Sequence, residues 1–250
     1  NSFLGLMTTS TSDKGGRIVS VDGMLNLLDN QIGIDGQVVM NSDNKRGMLG
    51  NITYTPLGYF STWIDYQKYE TGLNLDHLGY LWRDNFSQIK AGIKFQNQEP
   101  WRLIRSSSII LEGDIEENLD GLNIGKTLEF SYDIMFSNFW KIGGGFYKDL
   151  QYYDDRKTYD WYSGDFGPII KIPEINGYHF QFSSDKHKKL SATLSWTHAT
   201  NTRGDIERDQ FIELVYRPNT YLTFSSSYDR YRLIKKYRWL EVLEEANVDH

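Results

Sequence analysis

Five histidines, His77, His179, His187, His198 and His250, are the first residues to test for chemistry, because the chain has no cysteine to act beside them. No two stand at a spacing such as H-E-x-x-H, and without thiolates the cysteine–histidine zinc patterns are closed to the chain. His179 alternates with Gln181 and Ser183, which reads as polarity along one face of a strand. Asp154, Asp155 and Arg156, and the charged run 205–209, could bind cations or sugars, although solvated loop charge accounts for both. Asp114, Glu116, Glu117 and Asp120 offer oxygen ligands but lack the D-x-[DN]-x-[DN]-G loop of a calcium site. Gly143, Gly144 and Gly145 make no phosphate cradle, since neither Lys-Ser/Thr nor a helical pattern follows them. In a strand such glycines permit a bend or a close approach. The aromatic residues Tyr152, Tyr153, Tyr159, Trp161 and Tyr162 form the one candidate ligand patch, suited to a glycan. No catalytic residue, cofactor site or metal site is predicted.

Whatever these groups do, strands must hold them. In 123–136 the residues Leu128, Phe130, Tyr132, Ile134 and Phe136 alternate with Thr127, Glu129, Ser131 and Asp133, a period of two. The same alternation returns with Leu190, Ala192, Leu194 and Trp196, and again with Leu222, Phe224 and Tyr228. Two architectures use such strands. A soluble sandwich buries the apolar face; an outer-membrane barrel turns it to lipid and lines a lumen with the polar face.

Composition bears on the choice. Aromatic residues make up 15% of the 250 residues, yet only 39% are hydrophobic, which suits a barrel with aromatic girdles and a wet interior. No run approaches the ~20 apolar residues of a helical span. A net charge of -6 argues against nucleic acid as a partner. The absence of cysteine removes disulfides and is compatible with an oxidising envelope.

The pattern predicts about thirteen strands of roughly nine to thirteen residues, against ~5–6 for a typical soluble strand and ~9–11 for a tilted transmembrane one. Tight connections are expected at 29–30, Pro56, Pro100, 137–138, 185–187 and Pro218. Longer ones alternate with them at 10–15, 41–46, 70–85, 117–122 and 200–204, as short turns and long loops do on the two rims of a barrel. That parity requires 150–176 to be a single long excursion, a loop over the mouth or a plug within it. The chain starts inside a strand-like run at Asn1 and ends without one, so it reads as an internal piece of a longer polypeptide forming one domain, 1–250.

Several stretches resemble a known family. Residues 74–84, NLDHLGYLWRD, look like the signature N-D-L-G-F-L-R-R-x-D. Residues 2–23 are similar to an S-x-x-G-x-M-x-T…N-R-V-x-G-x-D run, 184–188 stand where members have S-T-D-S-R-K, and 216–219 match a W/Y-R-P-S turn. Trp82 departs from the signature's second Arg, and 164–168 depart from an R-G-G-P. The family is that of bacterial outer-membrane β-barrels of unassigned function whose members carry an N-terminal domain like family 9 carbohydrate-binding modules, and this chain resembles the barrel part. The resemblance implies an outer-membrane location and a barrel; it supplies no activity.

The fold expected is therefore all-β, an antiparallel transmembrane β-barrel of roughly 14–18 strands once complete. The lipid bilayer is its expected partner, with missing strands of the same chain or a partner protein closing the edges. The leading functional expectation is a porin-like conduit or a membrane anchor for an attached domain. A carbohydrate-binding or processing component is the alternative, and an outer-membrane hydrolase, needing a Ser–His or Asp–His pair at one rim, is a third. Mixed charges on the polar faces (Lys90, Lys94, Lys141, Glu112, Asp114, Glu129, Asp133, Glu207, Asp209, Glu213 and Asp229) predict ion pairs across the interior and no selectivity for one sign of charge.

Overall fold

Period-two alternation fixes each strand's register, because a slip of one residue would exchange its two faces. The computed structural model describes residues 2–10, 17–75, 81–158 and 167–235. Among them, one 13-stranded antiparallel sheet dominates and no helix occurs. Its strands run in sequence order: β1 (Phe3–Ser10), β2 (Arg17–Leu27), β3 (Ile32–Asn41), β4 (Arg46–Leu57), β5 (Phe60–Tyr69), β6 (Phe86–Asn97), β7 (Ile104–Glu117), β8 (Asn123–Phe136) and β9 (Lys141–Asp149). Two short strands, β10 (Tyr152–Asp154) and β11 (Ile170–Ile172), then pair with each other outside the sheet. The sheet resumes with β12 (Ile175–Ser183) beside β9, followed by β13 (Leu190–Asn201), β14 (Ile206–Tyr216) and β15 (Phe224–Ile234).

The excursion between β9 and β12 thus leaves the antiparallel order intact, as the loop parity requires. Several boundaries differ from expectation: β12 begins at Ile175, inside the expected excursion 150–176, and two others have a physical reason. Pro56 lies within β4, where the register with β5 shifts between Tyr54 and Leu57, and the turn itself falls at 58–59. A bulge tolerates a residue that cannot donate to the ladder. Leu222 precedes β15: the Asn219 carboxamide oxygen accepts from the Tyr221 and Leu222 amides and holds that turn.

Strands of 8 to 14 residues make one layer. Each sheet strand touches only its sheet neighbours, apart from a contact between β8 and β10, and β1 and β15 do not meet, so the described sheet is open. Leu25, Ile34, Ile52, Ile64, Ala91, Gly113 and Leu128 lie opposite one another in a row across β2 to β8. The parallel row on the other face reads Asp35, Asn51, Asp65, Lys90, Asp114, Thr127 and Asp149.

The apolar face carries the exposed large side chains, with Ile64 and Leu128 each 52% exposed and Phe224 59%. No second sheet covers Phe130 or Phe224 among the described residues. The polar face is the more enclosed one. There Trp63 lies over Gly92 and Tyr147 over Gly177: a Cβ at Gly92 would clash with Trp63 Cζ2. Gly145 is confined by backbone, its added Cβ standing 2.5 Å from the Phe130 carbonyl oxygen, so the glycine run serves close approach. Gly92→Val should displace the indole and lower stability by about 1–3 kcal/mol. The urea midpoint would read this, and an unchanged midpoint would mean that the ring is not held there.

Candidate functional site, a latched polar face

The polar face is wired from strand to strand. Asn51 Nδ2 donates to Asp65 Oδ1 at 2.5 Å, and Thr53 Oγ1 to Asn51 Oδ1 at 2.8 Å. Gln67 donates to Gln88, which donates to Glu116 at 2.7 Å. Lys90 Nζ binds Glu112 Oε1 at 2.9 Å, while Glu112 lies directly opposite Glu129. Thr127 donates to Asp149 at 3.0 Å. The expected ion pairs are scarcer than the mixture of charges suggested. Lys90–Glu112 is the one lysine–carboxylate pair within the strands of this face among the described residues, and carboxylates dominate the rest.

At the long-loop end the face is covered. Ser20, Val39, Gly47, Tyr69 and Phe86 form its last cross-strand row. Residues 70–75 fold back over this row and bring Leu73 Cδ2 within 2.9 Å of the point where a Gly47 Cβ would stand. Phe86 is fully buried, with Trp82 edge-on at 5.0 Å and Tyr69 stacked at 6.3 Å. Ile18, Val39, Leu73 and Phe86, four of the eight buried apolar residues among the described ones, belong to this corner. Leu73 and Trp82, from the loop, close it over the strand residues Ile18, Val39 and Phe86.

The excursion docks on the same corner through two crossed ion pairs. Arg83, 7% exposed, places Nη2 at 2.6 and 2.7 Å from the two carboxylate oxygens of Asp155, which also accepts from Asn118 at 3.3 Å. Arg156 Nη2 reaches back to Asp84 Oδ1 at 2.6 Å and to its carbonyl oxygen at 2.9 Å. An Arg-Asp step in one segment therefore grips an Asp-Arg step in the other. Gly72, turning at φ 80°, donates its amide to Asp84 Oδ2 at 2.7 Å, and Asn85 Oδ1 accepts from Leu119. Burial opposes the ionisation of Asp84. The bond from Arg156, the Gly72 amide and the Arg156 charge outweigh it and hold the carboxyl below the ordinary aspartate value. Burial likewise opposes that of Asp155, and Arg83 with Asn118 overcomes it.

A pH dependence follows from these directions. Carboxylates depressed in the folded state stabilise it above the unfolded pKa and lose that stabilisation as pH falls through the folded value. Exchange protection of the Gly72 and Leu119 amides should be flat from about pH 5 to 8 and fall below about pH 4. Protection that survives well below this would remove the carboxylates from the latch.

The sequence candidates scatter. Tyr152 is half-buried in β10, where burial first and then Asp149, Asp154 and Glu116 push its phenol above the ordinary value; Tyr153 is exposed. Tyr159, Trp161 and Tyr162 lie outside the described residues, as do His77 and His250. Asp154 caps its own turn, accepting from the Arg156 and Lys157 amides. Among the described residues no cluster of three or more metal-ligating side chains occurs, Asp114, Glu116, Glu117 and Asp120 included. His179 sits over Gly145 on the polar face, whereas His198 faces the other way with Tyr178 and Trp196. His187 Nδ1 does lie 2.9 Å from Asp185, at the short-turn end. Asp185 also accepts the His187 amide, so the contact closes a turn. Among the described residues no serine hydroxyl bonds to that ring and no hydrolytic constellation is assembled.

Arg83 was not a sequence candidate on its own account, although it stands inside the signature-like stretch 74–84. Only contact with Asp155, far along the chain, gives it a role. No helix among the described residues is long and apolar enough to cross a membrane, a fact that leaves strands out of account. No curated protein and no solved structure matches the chain. A family model described as a domain of unknown function, DUF5916, matches residues 12–248, and to that family the chain belongs.

Proposed function

We propose that this chain forms most of the wall of an outer-membrane β-barrel, with its apolar face against lipid and its polar face lining a carboxylate-rich interior latched at the long-loop end. One observation carries the reading: the exposed face is the apolar one and the enclosed, hydrogen-bonded face is the polar one, the reverse of a water-soluble sheet. The long loops then belong to the outer side and the short turns to the periplasmic side. The latched interior makes the chain a membrane anchor with a gated, cation-preferring conduit.

Closure follows from strand direction. Directions alternate along the sheet, so β1 and β15 run the same way. Lipid forbids free edges. An all-antiparallel barrel therefore needs an odd number of further strands, and a second copy related by an axis along the membrane normal would meet the first only in parallel.

The test is reconstitution of the full-length protein in planar bilayers. Small conductance with cations favoured over anions supports the conduit. A sealed protein that still requires detergent for extraction leaves the anchor alone. A protein that stays soluble and monodisperse without detergent overturns the membrane reading.

A further inference from the structure

Across β12 to β15 the apolar face is not free of charge, and its charges there have one sign. Across β12 to β15 that face bears Asn176, Tyr178, Phe180 and Phe182, then Leu190 to Thr200 at every second residue, and likewise Ile206 to Tyr216 and Phe224 to Ile234. No carboxylate is among them: Glu207, Asp209, Glu213 and Asp229 all fall on the polar face. The ionised groups present are Arg208, Arg230 and Arg232, gathered toward the long-loop end.

Their placement is costly unless something answers it. Arg208 stands directly opposite Arg232 on one side and His198 on the other, and Arg230 is opposite Gln210. Like charges facing each other across a ladder are destabilising. Arg208 Nε donates to His198 Nδ1 at 3.2 Å, which fixes the guanidinium without neutralising it. No ion pair to a carboxylate is made by Arg208, Arg230 or Arg232 among the described residues.

Aromatic rings share the arginine rows, Tyr178 beside His198 in the row of Arg208 and Arg232, and Phe180 with Trp196 in the row of Arg230. Tyr178 and Trp196 lie 5.0 Å apart, and both pack on His198. The next row toward the short turns holds Phe182, Leu194, Ile212 and Tyr228. Arginines and aromatic rings gathered at the long-loop end, above a more apolar row, fit a protein wall rising from hydrocarbon into the interface and the headgroups.

We propose that Arg208 and Arg232, seconded by Arg230, form a binding site for the phosphate monoester of an anionic lipid in the leaflet at the long-loop end. This rests on the membrane reading above. A phosphate between the two guanidinium groups takes forked hydrogen bonds from each and cancels their repulsion, while the acyl chains follow the Trp196 and Leu194 surface. Arginine suits it better than lysine, because its planar donors match the phosphate oxygens.

The full-length protein in nanodiscs of phosphatidylcholine doped with phosphatidic acid provides the test, with bound lipid counted by native mass spectrometry. Wild-type protein should retain phosphatidic acid over phosphatidylcholine. The double variant Arg208→Gln/Arg232→Gln should lose about 25-fold in that preference, at about fivefold per residue. The double lysine variant should lose less, which guards against a general folding defect. Unchanged preference in the glutamine variant overturns the proposal. Inorganic phosphate displacing the lipid at equal concentration also overturns it, as that would make the site one for free anions. Failure of the protein to enter nanodiscs at all would instead sink the barrel reading beneath it.

Discussion

Arg83→Ala is expected to destabilise the protein by about 3–5 kcal/mol and to release the excursion from the polar face. The reason lies in what the substitution leaves behind. Arg83 is 7% exposed and Asp155 16%, so removing the guanidinium strands a carboxylate in a corner that water hardly reaches. Among the described residues Asn118, at 3.3 Å, is its one other side-chain partner. The partner pair supplies the internal comparison. Arg156 and Asp84 are 30% and 27% exposed, and Arg156→Ala should cost about 1 kcal/mol, as for a solvent-screened pair. Arg83→Met/Asp155→Leu should cost less than Arg83→Ala, because it removes both charges together. Thermal or urea unfolding in detergent measures the three. Protease cutting within 150–174 and a rise in bilayer conductance would report release directly. Equal losses for Arg83→Ala and Arg156→Ala would show that burial at Arg83 does not set the strength of the latch.

That dependence on burial explains which parts of the molecule the sequence could reveal. The strand 123–136 was legible to the residue, because Leu128 to Phe136 and Thr127 to Asp133 can occupy opposite faces only in an extended chain. The excursion between β9 and β12 was legible from parity alone, since an extra sheet strand there would have reversed every later one. Pro56 misled because its missing donor signals a turn as readily as the bulge it occupies. The latch was invisible for another reason. Asp154, Asp155 and Arg156 look the same whether they face water or a partner, and only folding brings 83–84 against 155–156. Hydrophobic periodicity encodes what one segment does; it is silent on which polar loops meet.

The same periodicity leaves open what touches the apolar face, and Ile64→Arg decides it. Ile64 sits midway along β5, 52% exposed, between Ile52 and Ala91 on the neighbouring strands. In water, an exposed isoleucine can become arginine for about ±0.5 kcal/mol, since no packing is lost and the charge stays hydrated. At the midplane of a bilayer the same change costs about 2–4 kcal/mol, because the guanidinium must snorkel or drag water inward. Ser227→Arg on the polar face of β15 is the control, and should fall within about ±0.5 kcal/mol. Both variants are to be unfolded from lipid vesicles under the same urea gradient. A gap of at least about 2 kcal/mol between them is the expected result, for at Ile64 only hydrocarbon distinguishes the two faces so strongly. Equal midpoints would place water on both sides of the sheet, and the apolar rows would then have to find their partner in another protein.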